Sequence, residues 1–448
     1  MAEKDYIRQY LIRTPRSRAL FERAQKTMPG GVSHRFRFFP PYPFYVEKVN
    51  GSKIWDVDGN EYVDFWMGHF ALILGHKAPP IQEALKEAVE VGTHWGTVHE
   101  HEIRFAELLQ KTVPCAEKVV FGVSGTEATM HALRLARGFT KKRVILKVAG
   151  GWHGANNELL WAIRGPFEKP ESRGVLSEVA QYTQPIIFND LESTLKMMNR
   201  VREDLAAVII EPVVGSGGMI PAKKEYLEML RQETRKSGAL LIFDEIITGY
   251  RVALGGAQEV YGMKPDLVTM GKVCGGGANL GVIAGRGDIL ALCDGTLKRA
   301  KGESVMVGGG TFSCSPFSMI VGYRVVEYLR DHALEIYPRI GKLGQRLREG
   351  MEQAFAKNGL LAKATGLGSL CGLYFPHKPE TVVQSPTQMY ELTNLEKVDQ
   401  EFRLRMLNRG VFVMHGGGAV SFAHTEEDMA RVIQAAEEVA QEMKKVNS

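Results

Sequence analysis

The sequence predicts an α/β protein: a large domain with a mostly parallel sheet, joined to a smaller α+β part drawn from the N- and C-terminal segments. Three observations carry this. Between residue 79 and about residue 270, helix-length amphipathic stretches alternate with strand-length apolar runs, the pattern of a parallel sheet covered by helices on both faces. Two of those runs, Leu240 to Phe243 and Leu267 to Met270, are apolar throughout and bounded by turn residues, as fully buried strands are. From Pro316 onward the pattern changes to two long helices followed by short strands and further helices. At 448 residues the chain exceeds what one core organises, and boundaries are expected at 1–64 (N-terminal helix and small antiparallel sheet), 65–315 (large domain) and 316–448 (C-terminal α+β domain).

The elements follow in order. A polar helix, carried mostly by Arg16 to Lys26, is stopped by Met28-Pro-Gly-Gly. A Pro- and aromatic-rich connection, Arg35 to Phe44, leads into alternating strands that turn at Asp58-Gly59. Then come helices 79–91 and 101–112, a strand at 118–122, helix 126–140, a strand at 144–148, and strands near 185, 206, 240 and 267. Beyond the two long helices lie a strand at 370–375, a helix at 396–409, short strands around Met414 and Ser421, and a last helix. That helix is opened by Thr425, with Asp428 placed to complete a reciprocal cap. Residues 150–183 are the longest stretch without a clear element, and long loops in compact domains are often lids; a mobile flap is expected here.

Composition narrows the function. The 56 basic and 51 acidic residues are scattered without a basic stripe, which points away from nucleic acid and toward a small-molecule substrate. Five cysteines, at 115, 274, 293, 314 and 371, form no CxxC pair, as expected of reduced thiols in a cytoplasmic setting. The N-terminus lacks a signal pattern and no run of about 18 apolar residues occurs, so no membrane association is expected. His94, His99 and His101 with Glu100 and Glu102 match no zinc spacing, and no metal site is assigned.

The chemistry is expected at the strand ends. In open α/β sheets ligands bind outside the carboxyl ends of the strands, and there Asp244 and Lys272 emerge. A lysine amine condenses with carbonyls, and a carboxylate can hold a pyridine nitrogen protonated, so the pair suits an aldehyde cofactor such as pyridoxal phosphate (PLP). Gly271 and Gly275-Gly-Gly277 around the lysine permit close backbone approach. Ser124-Gly125-Thr126 follows a strand and opens a helix, where free N–H groups and the positive dipole end favour a phosphate. Trp152-His153-Gly154 follows the 144–148 strand and offers an indole for stacking. Gly310-Thr311-Phe-Ser313 adds hydroxyl donors, and Arg37, among aromatics, is a candidate carboxylate anchor.

Taken together, Val123 to Arg137, Leu241 to Gly256, Lys264 to Gly277 and Gly310 to Ser313 resemble the class III aminotransferases, PLP-dependent enzymes of fold type I, across nearly the whole chain. Within that family the chain is most similar to the glutamate-1-semialdehyde 2,1-aminomutase group, through Gly30-Gly-Val, Asp56-Val-Asp-Gly, Leu74-Gly-His, Phe243-Asp-Glu, Arg251 to Gln258 and Ala423 to Asp428. The resemblance implies that Lys272 is the Schiff-base lysine and proton shuttle and that Asp244 pairs the ring nitrogen. It implies that Ser124, Gly125 and Thr126 hold the phosphate, that Ile246 lies against one ring face, and that Trp152, His153 and Glu211 complete the cofactor set. Thr311 would reach the phosphate of the neighbouring subunit in a homodimer with shared active sites, and Arg37 and His415 would face the substrate.

This chain departs from the aminomutase pattern at three places. Trp152 stands where the family usually has Tyr, and His34-Arg35 replaces Ser-Pro. Between Val413 and Ala423 the chain lacks a longer loop with a glutamate. The expected activity is therefore amino-group transfer between an amino acid or amine and a keto acid, with an apolar, aromatic, β- or D-amino acid among the substrates considered. The alternatives are glutamate-1-semialdehyde 2,1-aminomutase or a related mutase or epimerase, and a catalytically silent PLP-fold binding protein.

Overall fold

A computed structural model describes residues 4–297, 300–308, 310–414 and 416–447. The chain divides into two compact units, one of Pro79–Pro338 with Val383–Glu391, the other of Met1–Ala78, Arg339–Val382 and Leu392–Ser448.

The first unit is built on a seven-stranded sheet in the order Lys118–Gly122, Gly281–Gly285, Leu267–Met270, Leu240–Asp244, Leu205–Ile210, Val144–Val148, Thr183–Ile186. All strands run parallel except Gly281–Gly285, which is antiparallel to both neighbours. Sequence patterning misses this strand because it is short and has glycine at both ends. The structure gives a reason for Gly281: a Cβ there would collide with the backbone of Ser124, so only glycine lets the strand lie under that turn. Every residue of Leu205–Ile210 and Leu240–Asp244 is buried, as expected of strands covered on both faces.

Helix Gly125–Thr140 lays Ala128, Ala132, Leu135 and Ala136 on Ile145, Ala207, Ile209, Ile242, Leu267 and Ile283. Its small residues let it approach closely, while each fully buried Ile or Leu beneath it contributes about 1.5–3 kcal/mol. Helix Pro316–Asp331 belongs to this unit, because Ile320 and Val321 pack on Ala84 and Ala88 of helix Pro79–Val91. Segment Val383–Glu391 returns to it as well: Pro386 fills the space left by Gly150 and Gly217, and Asn189 Nδ2 donates to Gln384 O at 2.9 Å.

The second unit opens with two helices, Asp5–Arg13 and Pro15–Gln25, where one was expected. Thr14 separates them, and its hydroxyl donates back to Tyr10 O at 2.7 Å. Strands Val46–Asn50, Lys53–Asp56 and Glu61–Asp64 form the expected antiparallel meander, extended by Val411–Phe412 in parallel with the last. Asp56 fixes the turn by accepting from the Asp58 and Asn60 N–H groups. Tyr10, Phe39, Tyr42, Phe44 and Tyr62 form an aromatic core beneath it. A second sheet joins Lys363–Thr365, Leu370–Tyr374 and Gly418–Ala419. The stretch expected as a helix at 396–409 is π-helical over Lys397–Phe402 and α-helical over Arg403–Leu407. Helix Glu426–Asn447 carries the reciprocal cap, Asp428 N to Thr425 Oγ1 and Thr425 N to Asp428 Oδ2, each 3.1 Å. Among the described residues no helix is long and apolar enough to cross a membrane.

Candidate active site

Parallel pairing sets Asp244 opposite Thr269, at the carboxyl edge of the sheet, and Lys272 follows two residues beyond Met270 and opens a 3-10 turn. Lys272 has φ of 45°, left-handed backbone that a non-glycine residue adopts at a cost, and strain of this kind gathers at functional sites. Burial lowers its pKa, against the carboxylates of Asp244 and Glu211 that raise it, so the amine is closer to its neutral, nucleophilic form than a surface lysine.

Asp244 is held at both oxygens. Oδ2 faces His153 Nδ1 at 2.7 Å, and Oδ1 accepts from the Ile246 N–H at 3.1 Å and the Thr269 hydroxyl at 3.2 Å. Burial lowers the pKa of His153, which keeps the ring neutral and makes Nδ1–H the donor to the carboxylate. His153 is carried by the loop after strand Val144–Val148. Its carbonyl accepts from Thr129 Oγ1 at 2.7 Å, which ties the loop to helix Gly125–Thr140. Next to it, Trp152 N–H donates to Glu211 Oε1 at 2.8 Å, and Gly215 N–H donates to Glu211 Oε2 at 3.1 Å. Burial, then the Asp244 charge, pushes the Glu211 carboxyl up to about 8, against those two N–H groups and Lys272.

Ser124 caps helix Gly125–Thr140, its Oγ accepting from Glu127 N at 3.2 Å. Thr126 Oγ1 accepts from Ala155 N at 3.2 Å, so both hydroxyls already serve backbone N–H groups, one in the same turn and one in the loop that carries His153. The first-turn N–H groups of Gly125 and Thr126 lie where an α-helix has no internal acceptors, and these are the natural anion donors. Ile246 ties this turn to the lysine: its Cδ1 lies 2.8 Å from where a Cβ on Gly125 would stand and 3.3 Å from one on Gly271.

The structure thus brings Ser124, Gly125, Thr126, Trp152, His153, Glu211, Asp244, Ile246 and Lys272 to one edge of one sheet. Thr311 is exposed, in a loop of the same unit. Arg37 is exposed on the 3-10 turn Arg35–Arg37 of the other unit, and His415 lies outside the described residues. His99 caps helix Glu100–Thr112, with Nε2 on Cys314 O at 2.7 Å. Sequence reasoning missed Thr129, Thr269 and Lys147. A lysine inside the run Val144 to Val148 was the one available signal for the last of these.

A buried lysine, a carboxylate oriented by a neutral histidine, glycines on either side of Ile246 and an open helix N-terminus fit a cofactor with an aldehyde, a protonated ring nitrogen and a phosphate. The arrangement defines a PLP-dependent enzyme of fold type I. The chain belongs to the class III aminotransferase family, whose profile, Aminotransferase class-III, matches residues 39–436. Glutamate-1-semialdehyde 2,1-aminomutase of Thermodesulfovibrio yellowstonii is 39% identical over 436 residues, 95% of this chain and 98% of that protein. An omega-transaminase from Sphaerobacter thermophilus superposes with a TM-score of 0.87 at 32% identity, covering 96% of this chain and 98% of its own. A transaminase solved with PLP bound gives 0.86 at 33% identity, covering 97% and 99%.

Proposed function

We infer that the chain moves an amino group between adjacent carbons of one small carboxylate substrate, the reaction named for its glutamate-1-semialdehyde 2,1-aminomutase relatives. The observation that carries this reading is the 39% identity sustained over 95% of the chain. When bound, PLP supplies an aldehyde that takes up the amino group and a ring that accepts the electrons released on deprotonation. The chain's own residues do the rest. Lys272, its amine favoured by burial, holds the cofactor and then takes and returns the proton at the reacting carbons. Asp244, oriented by His153, faces the ring nitrogen. The N–H groups of Gly125 and Thr126, with Ser124, hold the phosphate, and Trp152 and Ile246 flank the ring. Glu211 fixes the Trp152 peptide. Thr311 serves the phosphate of a partner subunit in a homodimer, while Arg37 and His415 serve the substrate.

Aminotransferase activity between two molecules is the second reading. It is favoured by His34-Arg35, by the short Met414 to Phe422 segment and by the transaminases at 32% and 33% identity. One experiment separates them. The purified enzyme, loaded with pyridoxamine phosphate, is given glutamate-1-semialdehyde alone and 5-aminolevulinate is measured over many turnovers. Sustained formation with no keto acid or amino donor is expected. Formation that requires both would transfer the assignment to an aminotransferase, and Lys272→Ala should form no product either way.

A further inference from the structure

Strand Val144–Val148 is apolar except for Lys147, whose side chain is fully buried. Its Nζ donates to Gly151 O at 3.0 Å and to Trp161 O at 2.7 Å. The Gly151 carbonyl belongs to the peptide whose N–H is that of Trp152, and that N–H donates to Glu211 Oε1 at 2.8 Å. One planar peptide unit is therefore gripped at its oxygen from one strand and at its nitrogen from the residue following the neighbouring strand, the two strands being in register at Lys147 and Ile209. With both ends held, the peptide cannot rotate, and the Trp152 Cα and the following His153 inherit its orientation. The second bond, to Trp161 O, anchors the returning arm of the loop at the same point, beside the Gly150 N to Ala162 O bond of 2.8 Å.

We propose that Lys147 is a positioning residue for the cofactor site: with Glu211 it clamps the Gly151–Trp152 peptide and so fixes the indole against the cofactor and His153 against Asp244. A lysine that merely filled space would bury an amine at a desolvation cost that methionine avoids. Burial draws Lys147 down to about 7, against the nearby Glu211 and Glu171 carboxylates, and pushes Glu211 up to about 8. Between about pH 7 and about pH 8 both groups at the two ends of this peptide are thus mostly uncharged. A neutral amine retains two N–H bonds, one for each carbonyl, so the clamp needs no net charge beneath the cofactor.

Lys147→Met keeps the volume and removes both bonds. The expected result is a visible band that persists, because Lys272 is intact, with a PLP dissociation constant raised about tenfold, the consequence of freeing the Gly151 carbonyl, which of the two carbonyls released is the one in the Trp152 peptide. The pH midpoint of the visible band should shift, and quenching of tryptophan emission on PLP binding should weaken. Lys147→Gln, which keeps a single N–H pair, should fall between, and it replaces the methionine variant if that protein does not fold. A folded variant with wild-type affinity and midpoint would overturn the proposal. The inference rests on the placement of PLP against Trp152, which Trp152→Ala tests separately. If that variant leaves affinity and midpoint unchanged, the placement itself fails; if it moves both while Lys147→Met moves neither, only the role of Lys147 fails.

Discussion

Gly125 sits where any added side-chain atom meets Ile246. A Cβ placed on it stands 2.8 Å from Ile246 Cδ1, 3.2 Å from Cγ1 and 3.4 Å from Cγ2. Carbon atoms at contact sit about 3.5–4.0 Å apart, so Gly125→Ala forces the Ile246 side chain back by roughly 0.7 Å or more. Overpacking of this kind costs about 1–3 kcal/mol. Gly125 is helical with no left-handed φ, so the backbone accepts alanine, and alanine at a helical position regains up to about 1 kcal/mol. The cofactor-free protein should therefore lose no more than about 2 kcal/mol. Ile246 Cδ1 also lies 3.3 Å from where a Cβ on Gly271, the neighbour of Lys272, would stand, so its displacement changes the packing beside the lysine. If the packing cost falls on the loaded state, the PLP dissociation constant rises about 5- to 140-fold, at about 1.4 kcal/mol per tenfold. Titrating the cofactor-free variant with PLP, followed by absorbance, with thermal unfolding of both forms alongside, measures this. Wild-type affinity in a variant of wild-type stability would refute the placement of Ile246 at the ring face.

Glu211 makes a pH prediction. Its folded value, about 8, lies above the ordinary 4.5, so between those values the folded protein holds a proton that the unfolded chain has lost. Stability from this group is thus present below about 4.5 and lost as pH rises toward about 8, at up to about 1.4 kcal/mol per pH unit. Cofactor-free wild type should lose thermal stability relative to Glu211→Gln between pH 5 and pH 8, and a constant difference would refute the buried protonated acid. Lys147, lowered to about 7 from 10.5, acts oppositely at higher pH, adding stability from about 7 upward in both proteins. In the loop after Gly150, limited proteolysis should cut between residues 164 and 178 more slowly when PLP and a substrate analogue are bound; equal rates would remove the flap.

Much of the fold was legible in the chain because periodicity reports burial directly. The alternation of Leu205 to Ile210, Leu240 to Asp244 and Leu267 to Met270 with amphipathic helices required a parallel sheet, and that sheet puts Asp244 and Lys272 at its carboxyl edge. The cap at Thr425 was also readable, since its two partners lie within one helical turn. Strand Gly281–Gly285 was not, because its glycines answer to the Ser124 backbone far away in sequence. The N-terminal break at Thr14 was announced locally, since Pro15 disfavours helical backbone at the residue before it and sits at the first position of the second helix.

The site divides along the same line. Local sequence determined the residue types that reaction chemistry demands: a lysine after a buried strand, an acid at the end of its neighbour, and a glycine at a helix start. Only the tertiary structure decided how they are held. It placed a neutral His153 against Asp244, tied the Thr126 hydroxyl to the Ala155 N–H, packed Ile246 against Gly125 and Gly271 and buried Lys147 beneath the Trp152 peptide. Chemistry is written in residue identity, but orientation arises from contacts between strands tens of residues apart, and those exist only once the sheet has formed.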